Sequence, residues 1–347
     1  MGLPQNSGLE IYSRRDRGAR NLITDVPGVK VGQVTIQHGE VNTGVTAILP
    51  HGGNLFQEKV MAGVSVINGF GKSAGLVQIE ELGTIESPII LTNTLSTGTA
   101  LTAMVKYMMA QNPDIGVSTG TVNCVVTECN DGRLNDIRGL HIRENDVLQA
   151  VESASEDFAE GAAGGGTGMV CLGLKGGIGS SSRTLEVDGR TYTVGALVMS
   201  NFGEAGNLVI GGRHIDTRKC SEDCKKDTGS IIIVIATDVP LSERQLKRVA
   251  KRSMIALGRV GSYCGNGSGD IAIAFTTANR QPHYSSRNIL DTKMFYDENI
   301  DCVFEAAVEA VEESILSSLY HAETTTGVRG NTYIGLREFL AKYEDLP

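Results

Sequence analysis

Residues 225–241, KKDTGSIIIVIATDVPL, pass from a charged run to an apolar, β-branched one with only Gly229 and Ser230 between them. Such a run reads as a buried strand entered directly from solvent. Similar short runs, mostly β-branched and bounded by glycine, lie at 45–49, 60–67, 89–92, 123–127, 169–174, 193–199 and 271–276. Helical patterns alternate with them. In 302–320, Phe304, Ala307, Val308, Val311, Ile315 and Leu319 form one apolar stripe, which needs a sheet to cover. A second helix is predicted from Ser242, with Gln245 placed for a capping box and Gly258 as its stop. Two more are expected at 97–110 and 146–160. Strands and helices in mixed order, without a strict βαβ rhythm, favour layers of helix packed on sheet.

The 347 residues suit one large domain or two ordinary ones. With 43 glycines the chain must hold many turns or close backbone approaches. A formal charge of −9 argues against a nucleic-acid or anionic-membrane surface, because both require a basic footprint. Small molecules or peptides are the expected partners. The first residues lack the continuous apolar stretch of a secretory signal, and 231–236 is far too short to span a bilayer, so a cytoplasmic protein is expected. Seven scattered cysteines read as reduced thiols. Cys220 and Cys224 lack a second Cys or His pair at ligand spacing, and the glycine run at 164–168 lacks the spacing of a phosphate loop, so neither a metal nor another cofactor is expected. The polar stretch 211–229 reads as an exposed segment that delivers Ser230 to the start of a core strand.

A serine hydroxyl needs a base within reach before it can attack. If the peptide bond before Ser230 breaks, the serine's own α-amino group, with a pKa of about 8, becomes that base. Gly229, lacking a Cβ, leaves its carbonyl open to the hydroxyl. Ser268 and Asp270 sit two apart, on one side of a strand start, and could hold and protonate a serine or an amine. Asn201 directly follows an apolar strand and could donate to an oxyanion. In the loop TECNDGRLNDIRG, Glu128 or Asp131 could hold a substrate ammonium, and Arg133 could bind a carboxylate. Each feature taken alone has a plainer reading, respectively a Gly-Ser turn, a hairpin turn at Asn266-Gly267, a strand-ending amide and a solvated loop.

Taken together, the blocks NLITDVPGVKVGQVT, NTGVTAILP, INGFGKSAGL, ECNDGRLNDI, GAAGGGTGMVCLGLKGGIGSSSR, TGSIIIVIATDVPL and GNGSGDIAIAFTTAN resemble, in this order, the DmpA-type self-cleaving aminopeptidases, which include L-aminopeptidase/D-esterase and the β-peptidyl aminopeptidases. The resemblance implies a single catalytic domain with an αββα sandwich, like that of the N-terminal nucleophile hydrolases but differently connected. It also implies cleavage at Gly229-Ser230 into pieces 1–229 and 230–347 that stay together and assemble into homo-oligomers. By position, Ser230 matches the nucleophile, Asn201 the oxyanion asparagine, and Ser268 with Asp270 the Ser-x-acid pair, whose acid is glutamate in some relatives. Arg133 stands where the aminopeptidase/esterase pattern has a tyrosine. The implied reaction releases a small N-terminal residue from a peptide, amide or ester through an acyl-enzyme. An acyltransferase of the ornithine-acetyltransferase kind, or a non-catalytic binding protein on the same scaffold, are the other readings.

Overall fold

An uninterrupted apolar run such as 231–236 needs cover on both faces of its strand, and the fold supplies it with two stacked sheets between outer layers of helix. The computed structural model describes residues 2–4, 7–9, 11–220 and 229–343. In chain order the strands begin with β1 (Lys30–His38), β2 (Val41–Leu49), β3 (Glu58–Gly69), β4 (Thr84–Ile85), β5 (Ile89–Asn93) and β6 (Val125–Cys129). They continue with β7 (Val170–Cys171), β8 (Leu174–Lys175), β9 (Gly177–Val187), β10 (Arg190–Asn201), β11 (Leu208–Ile210) and β12 (Arg213–Ile215). The last are β13 (Ser230–Thr237), β14 (Gly269–Pro282), β15 (Thr325–Thr326) and β16 (Thr332–Tyr333). The helices are α1 (Leu76–Leu82), α2 (Thr97–Gln111), α3 (Glu144–Glu152), α4 (Glu243–Arg259), α5 (Asp301–His321) and α6 (Leu336–Tyr343).

One sheet has the order β1-β2-β5-β6 and the other β4-β3-β14-β13-β10-β9. The side chains of β13 alternate between two cores. Ile232, Val234 and Ala236 meet Ile48, Leu91 and Val125 between the sheets, whereas Ile231, Ile233 and Ile235 meet Leu246, Val311 and Ile315 under α4 and α5. On the far side, Ala100, Met104, Val147 and Ala150 of α2 and α3 cover Val45, Ala47 and Ile90 of the first sheet. Helix, sheet, sheet, helix is the layered α/β arrangement expected from the sequence. Helix α4 starts with the expected capping box: the Gln245 N–H donates to Ser242 Oγ at 3.3 Å and the Ser242 N–H to Gln245 Oε1 at 3.1 Å.

Four expectations change. The run 169–174 is not one strand but the tight hairpin β7–β8, turning through Leu172 (φ 52°) and Gly173 (φ 84°), as two-residue hairpins of this hand require. The helix expected to reach 160 ends at Glu152, because Ser155 then exchanges two backbone hydrogen bonds with Val31 of β1. Helix α5 is buried on nearly every side. Its Glu309 accepts from Ser13 Oγ at 2.7 Å and the Arg14 N–H at 2.9 Å, while the wholly buried Arg183 donates to Glu313 Oε2 at 2.6 Å. Lastly, 211–220 is no plain exposed loop: Arg213–Ile215 pairs with Leu208–Ile210, and Ile215 and Thr217 are buried. Cys224, with the rest of 221–228, lies outside the described residues. Among those described, no helix is long and apolar enough to cross a membrane, and no group of three or more His, Cys, Asp or Glu could hold a metal.

Candidate active site

Strand β13 begins at Ser230, and its pairing decides what meets the hydroxyl. On one side it runs antiparallel to β10, with Asn201 in register with Ser230; on the other it runs parallel to β14, with Gly269 in register. Ser230 and Asn201 are each 5% exposed, so chemistry here proceeds in a site largely cleared of water. Ser230 Oγ donates to the Gly229 carbonyl oxygen at 2.7 Å. The Gly269 N–H points at both partners, 3.2 Å from Ser230 Oγ and 3.2 Å from Gly229 O. A hydroxyl, a carbonyl within its reach and an N–H aimed at both thus share one cluster, a geometry suited to attack on that carbonyl.

The Asn201 amide is fixed at both ends. Its Oδ1 accepts from the Val170 N–H at 2.9 Å and its Nδ2 donates to Asn130 O at 3.0 Å, and the amide carries a second N–H besides. Behind Val170, the wholly buried Lys175 ammonium donates to the carbonyls of Gly166 (3.1 Å), Met169 (2.9 Å) and Gly176 (2.6 Å). Burial pushes its pKa down to about 7, against opposing attractions from Asp131 and Cys171. The Ser268 hydroxyl donates to Asp270 Oδ1 at 2.6 Å, both residues buried. In register Asp270 stands opposite Ile231, so this pair flanks the backbone from which a new amine would be released.

A pocket of about 350 Å³ opens beside the cluster, with Asn201, Gly229, Val170, Asn130, Gly203 and Arg133 among its walls. Of the three substrate-binding candidates, only Arg133 lines it. Asp131 turns inward, accepting from Thr43 Oγ1 at 2.6 Å and Asn135 Nδ2 at 3.0 Å, and burial raises its pKa to about 7. Glu128 lies on the other flank, where it accepts from the Lys72 N–H at 2.7 Å and from the Thr94 hydroxyl. Only Gly71 separates it from the start of β14: a Cβ there would lie 3.4 Å from Glu128 Oε1 and 4.0 Å from Gly269 Cα.

Residues 21–333 match the family model "Peptidase family S58". The chain belongs to peptidase family S58. The S58 chain is 39% identical, over 95% of its length and 90% of the other, to the β-peptidyl aminopeptidase BapA of Sphingosinicella microcystinivorans. Among solved structures it superposes on the PH0078 protein from Pyrococcus horikoshii OT3 with a TM-score of 0.92, 50% identity and 97% of each chain covered. It superposes on the L-aminopeptidase D-Ala-esterase/amidase from Ochrobactrum anthropi with a TM-score of 0.89, 39% identity and 98% of each chain covered. That enzyme is described as a prototype for the serine aminopeptidases and a new variant among the Ntn-hydrolase fold. This S58 member is therefore a self-processing serine aminopeptidase on that fold variant. Nothing in these matches supports an acyltransferase or a non-catalytic protein.

Several residues of the S58 site escape a reading based on side-chain motifs. Gly269 offers only a backbone N–H, and its place beside Ser230 follows from strand pairing. The Val170 and Asn130 contacts hold Asn201 from a distance in sequence. Tyr333, whose hydroxyl accepts from Arg133 Nη1 at 3.4 Å, reaches this pocket-wall residue from the far end of the chain.

Proposed function

We propose that Ser230 is the nucleophile both of self-cleavage and of peptide hydrolysis. In the uncut chain its Oγ attacks the Gly229 carbonyl carbon while the Gly269 N–H receives the oxyanion. The C–N bond breaks as the acyl group passes from nitrogen to oxygen, and water then hydrolyses the ester, leaving a Gly229 carboxylate and a free Ser230 amine. The resulting pieces are 1–229 and 230–347. The observation that carries this reading is the 2.7 Å contact of Ser230 Oγ with Gly229 O under the shared Gly269 donor.

The freed amine then takes the Oγ proton as Oγ attacks the scissile carbonyl of a bound substrate. Asn201 Nδ2 and the Gly269 N–H hold the oxyanion, the departing amine collects the proton, and water hydrolyses the acyl-enzyme. The Ser268–Asp270 pair orients the Ser230 amine and relays protons to it. Glu128 takes the substrate's ammonium, while Asp131 keeps the loop in place. The substrates are peptides, amides or esters with a small N-terminal residue, β-residues included, in keeping with the activity named for the Sphingosinicella relative. We further place the enzyme in the cytoplasm as a homo-oligomer of cleaved units, a reading supported by its free cysteines and the resemblance described above.

Denaturing electrophoresis with mass spectrometry tests the central step. Pure active protein should give two fragments, the smaller beginning at Ser230, and Ser230→Ala should give one chain near 36.8 kDa without activity. One intact polypeptide in fully active material would overturn the assignment.

A further inference from the structure

Lys175 is wholly buried, and the three N–H bonds of its ammonium go to backbone carbonyls, those of Gly166, Met169 and Gly176. A neutral amine has two N–H bonds and a lone pair, so a cage of three acceptors fits the charged form. Carrying that charge into the core is costly, and an apolar side chain of the same length would fill the space without the penalty. Two of the three carbonyls have other donors as well: the Met169 N–H reaches Gly166 O at 3.2 Å, and the Gly176 N–H reaches Met169 O at 2.9 Å. Satisfying these oxygens therefore does not account for the charge.

One of the carbonyls leads to the site. The Met169 C=O and the Val170 N–H belong to a single planar peptide unit. Lys175 Nζ donates to its oxygen at 2.9 Å, and its N–H donates to Asn201 Oδ1 at 2.9 Å. The β7–β8 hairpin makes this possible, because it sets Lys175 opposite Val170 and so beside the peptide that precedes it. Positive charge at a carbonyl oxygen draws electrons from the amide nitrogen and makes its N–H a stronger donor. The same step repeats across the Asn201 carboxamide, whose Nδ2–H bonds strengthen in turn. The chain of ammonium, peptide and carboxamide thus ends on a residue that lines the pocket beside Ser230.

Resting on the reading of Asn201 as an oxyanion donor, we infer that Lys175 is a positioning residue for the hydrolysis: through the Met169–Val170 peptide it holds and polarises the Asn201 carboxamide, and so lends the oxyanion the pull of a positive charge that never touches it. No proton travels along the chain.

The test is a double-mutant cycle on the self-cleaved enzyme with β-alanyl p-nitroanilide, comparing wild type, Lys175→Met, Asn201→Ala and the pair. It is run just below pH 7, where the lysine keeps its charge although burial draws its pKa down to about 7. Lys175→Met should lower kcat roughly tenfold and leave KM within about twofold. In the Asn201→Ala background the same change should cost less than about twofold, since the carboxamide that carries its effect is gone. A tenfold loss in both backgrounds overturns the proposal, because a lysine that only supports the fold acts whether or not Asn201 is present. So does an unchanged kcat in Lys175→Met, or a loss confined to KM. Lys175→Gln, uncharged but still a donor, repeats the cycle if the methionine variant does not fold. A chain that folds with neither residue overturns the proposal by assigning the lysine to the fold alone. An unchanged kcat in Asn201→Ala is a separate result, which removes the oxyanion reading itself and the proposal with it.

Discussion

A methyl group on residue 229 would fall 1.9 Å from the Asn201 carbonyl oxygen, far inside contact distance. Gly229→Ala must therefore displace the proposed scissile carbonyl from Ser230 or push β10 aside. Self-cleavage should slow by tenfold or more, about 1.4 kcal/mol of barrier, read from the conversion of precursor to fragments with time. In the proposed mechanism Asn201 acts when charge develops on the acyl oxygen, so Asn201→Ala should lower kcat by roughly 10²–10³ with a smaller effect on KM. Lys175 makes a prediction about stability and pH. Its pKa is pushed down to about 7 in the folded protein and returns to the ordinary ammonium value of 10.5 on unfolding. Between these values the unfolded chain binds a proton that the folded chain has released, so stability rises with pH across the window. Lys175→Met cannot titrate and should lack that share of the rise, which paired melting curves from neutral to alkaline pH would measure. Ser230, Asn201, Ser268 and Asp270 were legible as side chains with a known kind of chemistry. Gly269 was not, because it offers only a backbone N–H and lies opposite Ser230 only after two distant strands pair.

At the scale of elements, legibility followed local chemistry. Helix α4 announces itself by a capping box and an apolar face, and both survive in the fold. Strand β9, GIGSSSRTLEV, does not, since glycine and serine are poor strand formers by propensity. Its reason for being a strand is tertiary: the missing side chain at Gly179 lets α5 lie directly on the sheet, where a Cβ would come within 2.0 Å of the Ser314 carbonyl oxygen. Gly179→Ala should therefore force helix and sheet apart and cost about 1–3 kcal/mol, seen as a lower midpoint in urea. The run 169–174 looks like one strand in the sequence because the turn of the hairpin 170–175 uses Leu172 at positive φ, a conformation that leucine seldom signals. The burial of α5 all round was hidden for a similar reason, since its polar residues Glu309 and Glu313 find partners on the N-terminal segment and β9, far away in sequence.

For the whole molecule, the order β4-β3-β14-β13-β10-β9 has a consequence for the cut. With the proposed cut at Gly229-Ser230, strands β13 and β14 belong to the piece beginning at Ser230, yet they lie between β3 and β10 of the other piece. Cutting removes no strand pairing, and the fragments should co-purify under native conditions and separate only in denaturant. Residues 230–347 expressed alone would expose both outer edges of the β13–β14 pair and should aggregate; a soluble, folded fragment would contradict the role given to this interleaving. The same pairing imposes a sequence of events in time. Ser230, Gly229 and Gly269 converge only after segments from both sides of the proposed scissile bond have joined one sheet, so with Ser230 as the proposed nucleophile catalytic competence would be granted last, to copies that have finished folding. On that proposal a misassembled copy would never acquire its terminal amine and would stay harmless to the peptides around it, and maturation would double as an inspection of the product.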